Sequence, residues 1–398
     1  MLFDGVRVLD LSRMLAGPYG SMLLADLGAE VIKIEEPRGG DPMRAMGPPF
    51  LGPEGRESAY FLSINRNKKS VALDLERPEG RGVFHELCRV SDVVWENFRP
   101  GVMARLGCAP ETLRALSPRL VVCSISAFGQ AGPYRDWPAF DLALQAMGGA
   151  MSLTGEDGRP PVRMGLPMGD LAGGMFGALA VAAALFRREH TGEGTVIDLS
   201  LLDCQVSLLT YVAQYFWADG RVPGRVGSGH ASVVPYQAFA TRDGFLVVAV
   251  FAEKFWSGFC RAIERPELAA DPRFDSNPKR VGAKGELVPL IEAIFPGRTT
   301  AEWLTRLQAE GVPAAPINRV DQILDDPQVR LRDMVVDLAH PKLGTVKMLG
   351  TPIKPADAAP FQPAPPPALG EHTDAVLGEL LGYPAARIEA LRRSGVVG

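Results

Sequence analysis

Val6-Arg-Val-Leu-Asp-Leu11 runs into Ser12-Arg-Met-Leu-Ala-Gly-Pro-Tyr-Gly20, and the chain continues through Leu27 and Gly28 to Val31-Ile-Lys-Ile34. Two short β-branched runs, separated by a helix-length segment that opens at Pro18 and stops at Gly28, have the pattern of one βαβ unit. The alternation persists: Ser70–Leu75, Asp92–Glu96, Leu120–Ser124 and Gly194–Ser200 read as further strands, with helices opening near Pro78 and Pro110. The expected fold class is therefore α/β, with a Rossmann-like parallel sheet in a large first domain.

Beyond this sheet the composition changes. The Gly/Arg/Pro/Ser-rich stretch 220–228 marks a crossing, and Pro235–Ala240 and Gly244–Phe251, joined by Thr241-Arg-Asp-Gly244, predict an antiparallel hairpin that opens a smaller α+β domain. Helices are expected over 253–265, 284–294 and 300–310, with an extended connector over 341–348 and a final helix from Thr373. The predicted division is 1–200 large domain, 201–225 linker helix, 226–325 small domain, 326–354 linker and 355–398 a C-terminal return. The last begins in the Pro/Ala-rich run Pro355–Pro367, read as an extended crossing.

Composition narrows the function classes. The chain of 398 residues is 46% hydrophobic and 22% charged, with a formal charge of −4 and no basic block, so neither nucleic acid nor an anionic membrane surface is an expected partner. The five cysteines are scattered without metal-ligand spacing, which predicts reduced thiols in a cytoplasmic setting and no metal centre. The N-terminus shows no export signal. The apolar run 173–186 is shorter than the roughly 20 residues that span a bilayer, and is read as a core helix.

Three places carry candidate chemistry. The loop after the first strand has only Gly17 and Gly20, not the G-x-G-x-x-G of a dinucleotide site, although Glu35 stands where a ribose ligand would. As a tight turn opening a helix it suits a ligand loop and a plain connection equally. Asn97-Phe-Arg-Pro-Gly101 with Arg105 follows a strand and joins an amide, an aromatic face and two guanidinium groups, a combination suited to a nucleotide and equally to a solvated loop. The basic run Arg66–Lys69 has the same ambiguity. Asp170, in Gly165-Leu-Pro-Met-Gly-Asp170 at the mouth of the apolar helix, is placed either as a helix cap, the commoner role, or as an anionic nucleophile. Among the histidines, His230 at the presumed domain crossing ranks first for function, ahead of His372, while His85, His190 and His340 read as surface residues.

Taken in order, Gly5–Leu11 with Ala16-Gly-Pro18, Leu27–Glu35 with Gly40-Asp41, Asn65–Ser70, Glu96–Gly101, Gly169-Asp170 and Leu369–Asp374 resemble the class III (CaiB/BaiF) CoA-transferase family along nearly the whole chain. The resemblance implies that Asp170 is the nucleophile that carries an acyl group between CoA and a free acid. It also implies CoA contacts from Met14, Leu15, Leu73, Asn97, Phe98 and Arg105, acyl-CoA as substrate with no permanently bound cofactor, and an interlocked homodimer. Two features depart from formyl-CoA transferases of this family: Leu15 replaces a supportive glutamine, and the expected glycine-rich lid after 225 is missing. The α-methylacyl-CoA racemase branch is the alternative, but it expects a histidine where Phe140 precedes Asp141. The segments Gly47–Phe50, Tyr60–Ser70 and Ser232–Phe239 resemble succinyl-CoA:glutarate-type transferases, which implies a dicarboxylate acceptor. Arg66, Lys69, His230 or Arg44 is then expected to hold its second carboxylate.

Overall fold

The computed structural model describes residues 1–357 and 360–398, so two residues of the predicted Pro/Ala-rich crossing lie outside the described residues. The chain divides into two compact units, one of Met1–Ala150, Arg163–Gln214 and Pro327–Gly398, the other of Met151–Val162 and Tyr215–Asp326. The division thus falls at 214 instead of 225. Segments 151–162 and 326–354, assigned by sequence to the large domain and a linker, group with the second and largely with the first unit respectively.

The first unit is built on six parallel strands: β1 (Arg7–Asp10), β2 (Glu30–Glu35), β3 (Lys68–Ala72), β4 (Val93–Glu96), β5 (Val121–Ser126) and β6 (Val196–Ser200). Their spatial order is β3-β2-β1-β4-β5-β6. This is the doubly wound order, with the reversal between β1 and β4. Both faces of the sheet carry core, and the centres of its strands read as short runs of Val, Leu and Ile. Leu9, Ile32, Val71, Val94 and Val122 point to one face, where they meet Phe84 and Leu87 of helix 78–89 and Val376, Leu377 and Ile388 of the two C-terminal helices. Their neighbours Val8, Val31, Val93 and Val121 point to the other face.

That second face is covered by α1 (Ala16–Asp26) and α2 (Met168–Thr191). The two helices approach closely because glycines line the contact. A Cβ on Gly20 would come 2.5 Å from the Trp95 ring and 2.6 Å from the Gly174 carbonyl, and one on Gly174 would come 2.7 Å from the Ala16 carbonyl. Trp95 is fully buried between them and donates from Nε1 to the Gly17 carbonyl at 2.9 Å. At 24 residues α2 exceeds the apolar run read from sequence, and its length and composition would suffice to cross a membrane. One face packs in the core, as a core helix should, but Met175, Leu179 and Phe186 on the other are 45%, 64% and 71% exposed.

Two further expectations are corrected. The predicted connector 341–348 is one arm of a hairpin, Val335–His340 with Gly344–Leu349, turned at residues 341–343 and at Gly344 (φ 70°). The basic run 66–69 is not a solvated turn. Arg66 and Lys68 are buried, and β3 starts at Lys68 because Asp10 on β1 lies 3.1 Å from its Nζ.

The second unit has its own core, in which Phe239, Leu246 and Val248 of a three-stranded antiparallel sheet (236–240, 245–249 and 314–316) pack with Trp256, Phe259, Phe295 and Trp303.

Candidate active site

Strand order alone directs attention to the carboxyl ends of β1 and β4, where an α/β sheet opens a crevice at its reversal. The loops leaving these strands, 11–15 and 97–101, are clamped together. Asn97 accepts from the Arg13 amide and donates to the Arg13 carbonyl, both at 2.8 Å, and the Arg13 guanidinium lies 5.1 Å from the centre of the Phe98 ring. Met14 takes a left-handed conformation (φ 68°), uncommon for a residue with a side chain, and its amide points to Asp41 Oδ1 at 3.4 Å.

A buried charge network beneath holds the first loop. Lys33 donates to the Ser12 carbonyl at 2.7 Å and lies 2.9 Å from Asp41 Oδ2; Lys68 donates to Asp10, to the Pro18 carbonyl and to Asn65. Burial alone would raise the Asp10 carboxyl and lower the Lys68 ammonium. At Asp10 the opposing pull of Lys68 and Lys33 and the bonds from Ser12 and Ser21 outweigh burial and hold it down at about 2, whereas at Lys68 burial wins and brings it to about 8. Glu96, at the end of β4, accepts from the Phe98 amide at 2.7 Å, and burial pushes its carboxyl up to about 7.

Two cavities open along this crevice. The larger, of about 510 Å³, is lined by Leu73, Phe98, five arginines (Arg13, Arg38, Arg81, Arg99 and Arg105) and four carboxylates (Glu35, Glu36, Asp74 and Glu76), of which Glu36 is paired with Arg38 at 2.6 Å. The smaller, of about 190 Å³, is lined by Met14, Leu15, Asn97, Phe98, Phe140 and Asp170. Phe98 and Arg99 belong to both, so the cavities adjoin.

Asp170 sits in the first turn of α2, but it is not the cap. The cap is Asp141, from helix 141–147, whose Oδ1 accepts from the amides of Gly169 (2.8 Å) and Asp170 (3.3 Å). Gln145, fully buried, fixes that carboxylate through Oδ2 at 2.6 Å and binds the Met164 amide and the Leu166 carbonyl. The Asp170 carboxylate is thereby left without a hydrogen-bond partner among the described residues. Burial, with the Asp141 charge as a second cause, pushes it up to about 7. A carboxylate that is largely buried, unbonded and faces a cavity is a poor structural element, and perturbed groups of this kind cluster at functional sites.

Of the sequence-predicted residues, Met14, Leu15, Leu73, Asn97, Phe98, Arg105 and Asp170 all face these two cavities. The four residues offered for a second carboxylate do not line them. Arg66 is engaged by Asp26 (2.6 Å) and the Leu349 carbonyl. Arg44 is held by Glu35 (2.7 Å) and stacked on Phe61, and Lys69 is paired with Glu30 at 2.6 Å. His230 lies in the second unit, where its ring accepts from the Ser232 amide and packs on Tyr236. Sequence reasoning missed Arg13, Ser126, Arg135 and the capping role of Asp141. Only Arg13 carried a usable signal, since it follows β1, a strand that flanks the reversal; Ser126 ends β5, one strand further out, and Arg135 lies nine residues beyond it.

A model of CoA-transferase family III matches residues 3–373. The succinyl-CoA:glutarate CoA-transferase of Mus musculus is 40% identical over 394 residues, covering 99% of this chain and 90% of that protein. The succinate–glutarate CoA-transferase of Agrobacterium fabrum is 39% identical over 380 residues, 95% of each. Among solved structures, a CaiB/BaiF family protein from Brucella suis superposes with a TM-score of 0.85 at 38% identity, covering 95% of this chain and 99% of that one.

Proposed function

The chain belongs to CoA-transferase family III, and from that premise we propose that it moves CoA from succinyl-CoA to a small dicarboxylic acid such as glutarate, with Asp170 as the covalent carrier. The observation that carries this reading is the Asp170 carboxylate itself, unpaired in its cavity while Asp141 does the capping.

The larger cavity suits the nucleotide end of CoA. Its arginines offer fixed charge and forked donors to phosphate, and Leu73 and Phe98 offer an apolar slot. Past Phe98 and Arg99 the pantetheine arm would enter the smaller cavity and bring the thioester to Asp170. An Asp170 oxygen attacks the thioester carbonyl, the C–S bond breaks, and CoA thiolate leaves a mixed anhydride. The thiolate then attacks the Asp170 acyl carbon, releasing succinate and leaving an aspartyl-CoA thioester. An acceptor carboxylate repeats the exchange in reverse, which frees Asp170 and gives the new acyl-CoA. Each step exchanges one activated acyl bond for another, so the protein's task is to position the partners and exclude water.

The racemase alternative needs a proton-transfer group where this chain has Phe140, which is 71% exposed and offers none. We also propose a homodimer, in which a second copy covers the outer face of α2. Met175, Leu179 and Phe186 lie at helical spacing there, and such a face on a soluble chain needs a cover. Sedimentation should give twice the chain mass; a stable monomer would refute that part.

The functional test is chromatography of CoA esters after mixing the protein with succinyl-CoA and glutarate. Glutaryl-CoA should accumulate with the wild type and fall by roughly three orders of magnitude with Asp170→Asn. Transfer by the variant at near wild-type rate would overturn the reading.

A further inference from the structure

Ser126 is the last residue of β5 and is only 7% exposed, yet its hydroxyl oxygen is buried without a hydrogen-bond partner among the described residues. Two residues earlier on the same strand, Ser124 gives its hydroxyl to Glu96, so the strand end does not leave such groups unpaired as a rule. Ser126 lines the cavity that holds Asp170. A buried orphan hydroxyl at the wall of a cavity is satisfied when a ligand supplies the missing partner.

The same cavity contains two cations, Arg99 and Arg135. Arg99 also lines the larger, arginine-rich cavity, whereas Arg135 lines only this one. Arg135 is half exposed, and its one ion pair among the described residues is a loose contact of 3.8 Å with the exposed neighbouring Asp136. Such a pair is weakly held and readily exchanged for a better-placed carboxylate. Ile125, Ala127 and Pro138 add apolar lining to the same cavity, so Arg99 and Arg135 are the cations in it that a carboxylate can meet.

We infer that Ser126 and Arg135 form the acid-binding subsite: the Ser126 hydroxyl donates to an oxygen of the reacting carboxyl group, and the Arg135 guanidinium holds the distal carboxylate. This rests on the proposed transferase reading and deepens it by naming what selects a dicarboxylic acid. A monocarboxylic acid of the same length would leave Arg135 unused.

The test compares glutarate with butyrate as acceptors, both with succinyl-CoA as donor, so that effects on the donor cancel in the ratio. Arg135→Gln should lower the preference for glutarate over butyrate by roughly tenfold or more, mainly through KM for glutarate, with Arg135→Lys recovering part of it. Ser126→Ala should lower kcat for both acids alike by about tenfold. Unfolding midpoints and sedimentation confirm that each variant is folded as the wild type. An unchanged glutarate-to-butyrate ratio in Arg135→Gln, or wild-type kcat in Ser126→Ala, overturns the subsite. If Asp170→Asn has meanwhile lost transfer to both acids, the transferase reading stands and only the subsite falls.

Discussion

Replacing Asp170 by Asn should make the folded protein more stable, and the gain should depend on pH. In the unfolded chain the carboxyl titrates near 3.8; in the fold, burial and then the Asp141 charge raise it to about 7. Between those values the native state holds a proton that the unfolded state has released, so stability falls as pH rises through this window. The full difference is ~3 pH units at ~1.4 kcal/mol each, or at most ~4 kcal/mol lost by about pH 8, and partial access of water to the half-buried group reduces it toward about 2 kcal/mol. Asn has nearly the same shape and cannot ionise. Urea unfolding of both proteins at about pH 4, 6 and 8 isolates the effect, because groups that do not interact with Asp170 cancel in the difference, leaving Asp170 and its coupling to Asp141. The variant should be more stable at about pH 8, with the gap closing toward about pH 4. A gap that does not change with pH, or a variant less stable than the wild type at about pH 8, would refute the claim that this carboxylate is held against its ionisation.

Asp141→Asn should move the midpoint of the kcat/KM pH profile for succinyl-CoA below about 7 while leaving it above 3.8, since burial is the larger cause; an unmoved midpoint would remove Asp141 from the electrostatics of the site. Lys33→Met strands the buried Asp41 carboxylate under the first loop and should cost about 3–5 kcal/mol by chemical denaturation, whereas a solvent-exposed pair would cost under ~1 kcal/mol. Gly20→Val forces atoms into space held by Trp95 and the Gly174 carbonyl and should lower the unfolding free energy by ~1–3 kcal/mol in chemical denaturation; a neutral result would mean that α1 and α2 can separate freely.

The sheet was legible because its information is local. β1, α1 and β2 announce themselves through β-branched runs, Pro18 and Gly28, which lie close together in sequence. The start of β3 was hidden because Lys68 reads as a solvated charge until Asp10, 58 residues away in sequence, is seen beneath it. Arg66 and Arg44 looked like substrate ligands for the same reason: their carboxylate partners Asp26 and Glu35 cannot be matched to them from spacing. Asp170 was ambiguous between cap and nucleophile on residue type alone. What decides the capping question is Asp141, a carboxylate from another helix that binds the amides Asp170 would otherwise have bound, and no local pattern marks it. The outer face of α2 was unreadable in a different way, since a helix rich in Ala, Gly and Leu presents apolar residues all round.

The central claim, that Asp170 becomes covalently bonded during transfer, is most directly tested by incubating the protein with succinyl-CoA alone, quenching in acid and mapping modified peptides by mass spectrometry. The account predicts CoA in thioester linkage, or a hydroxylamine-trapped hydroxamate, on the peptide that contains Asp170, and its loss when glutarate is added before the quench. A wild-type protein that turns over glutarate while carrying no adduct on Asp170, or carrying it on another residue, would contradict it.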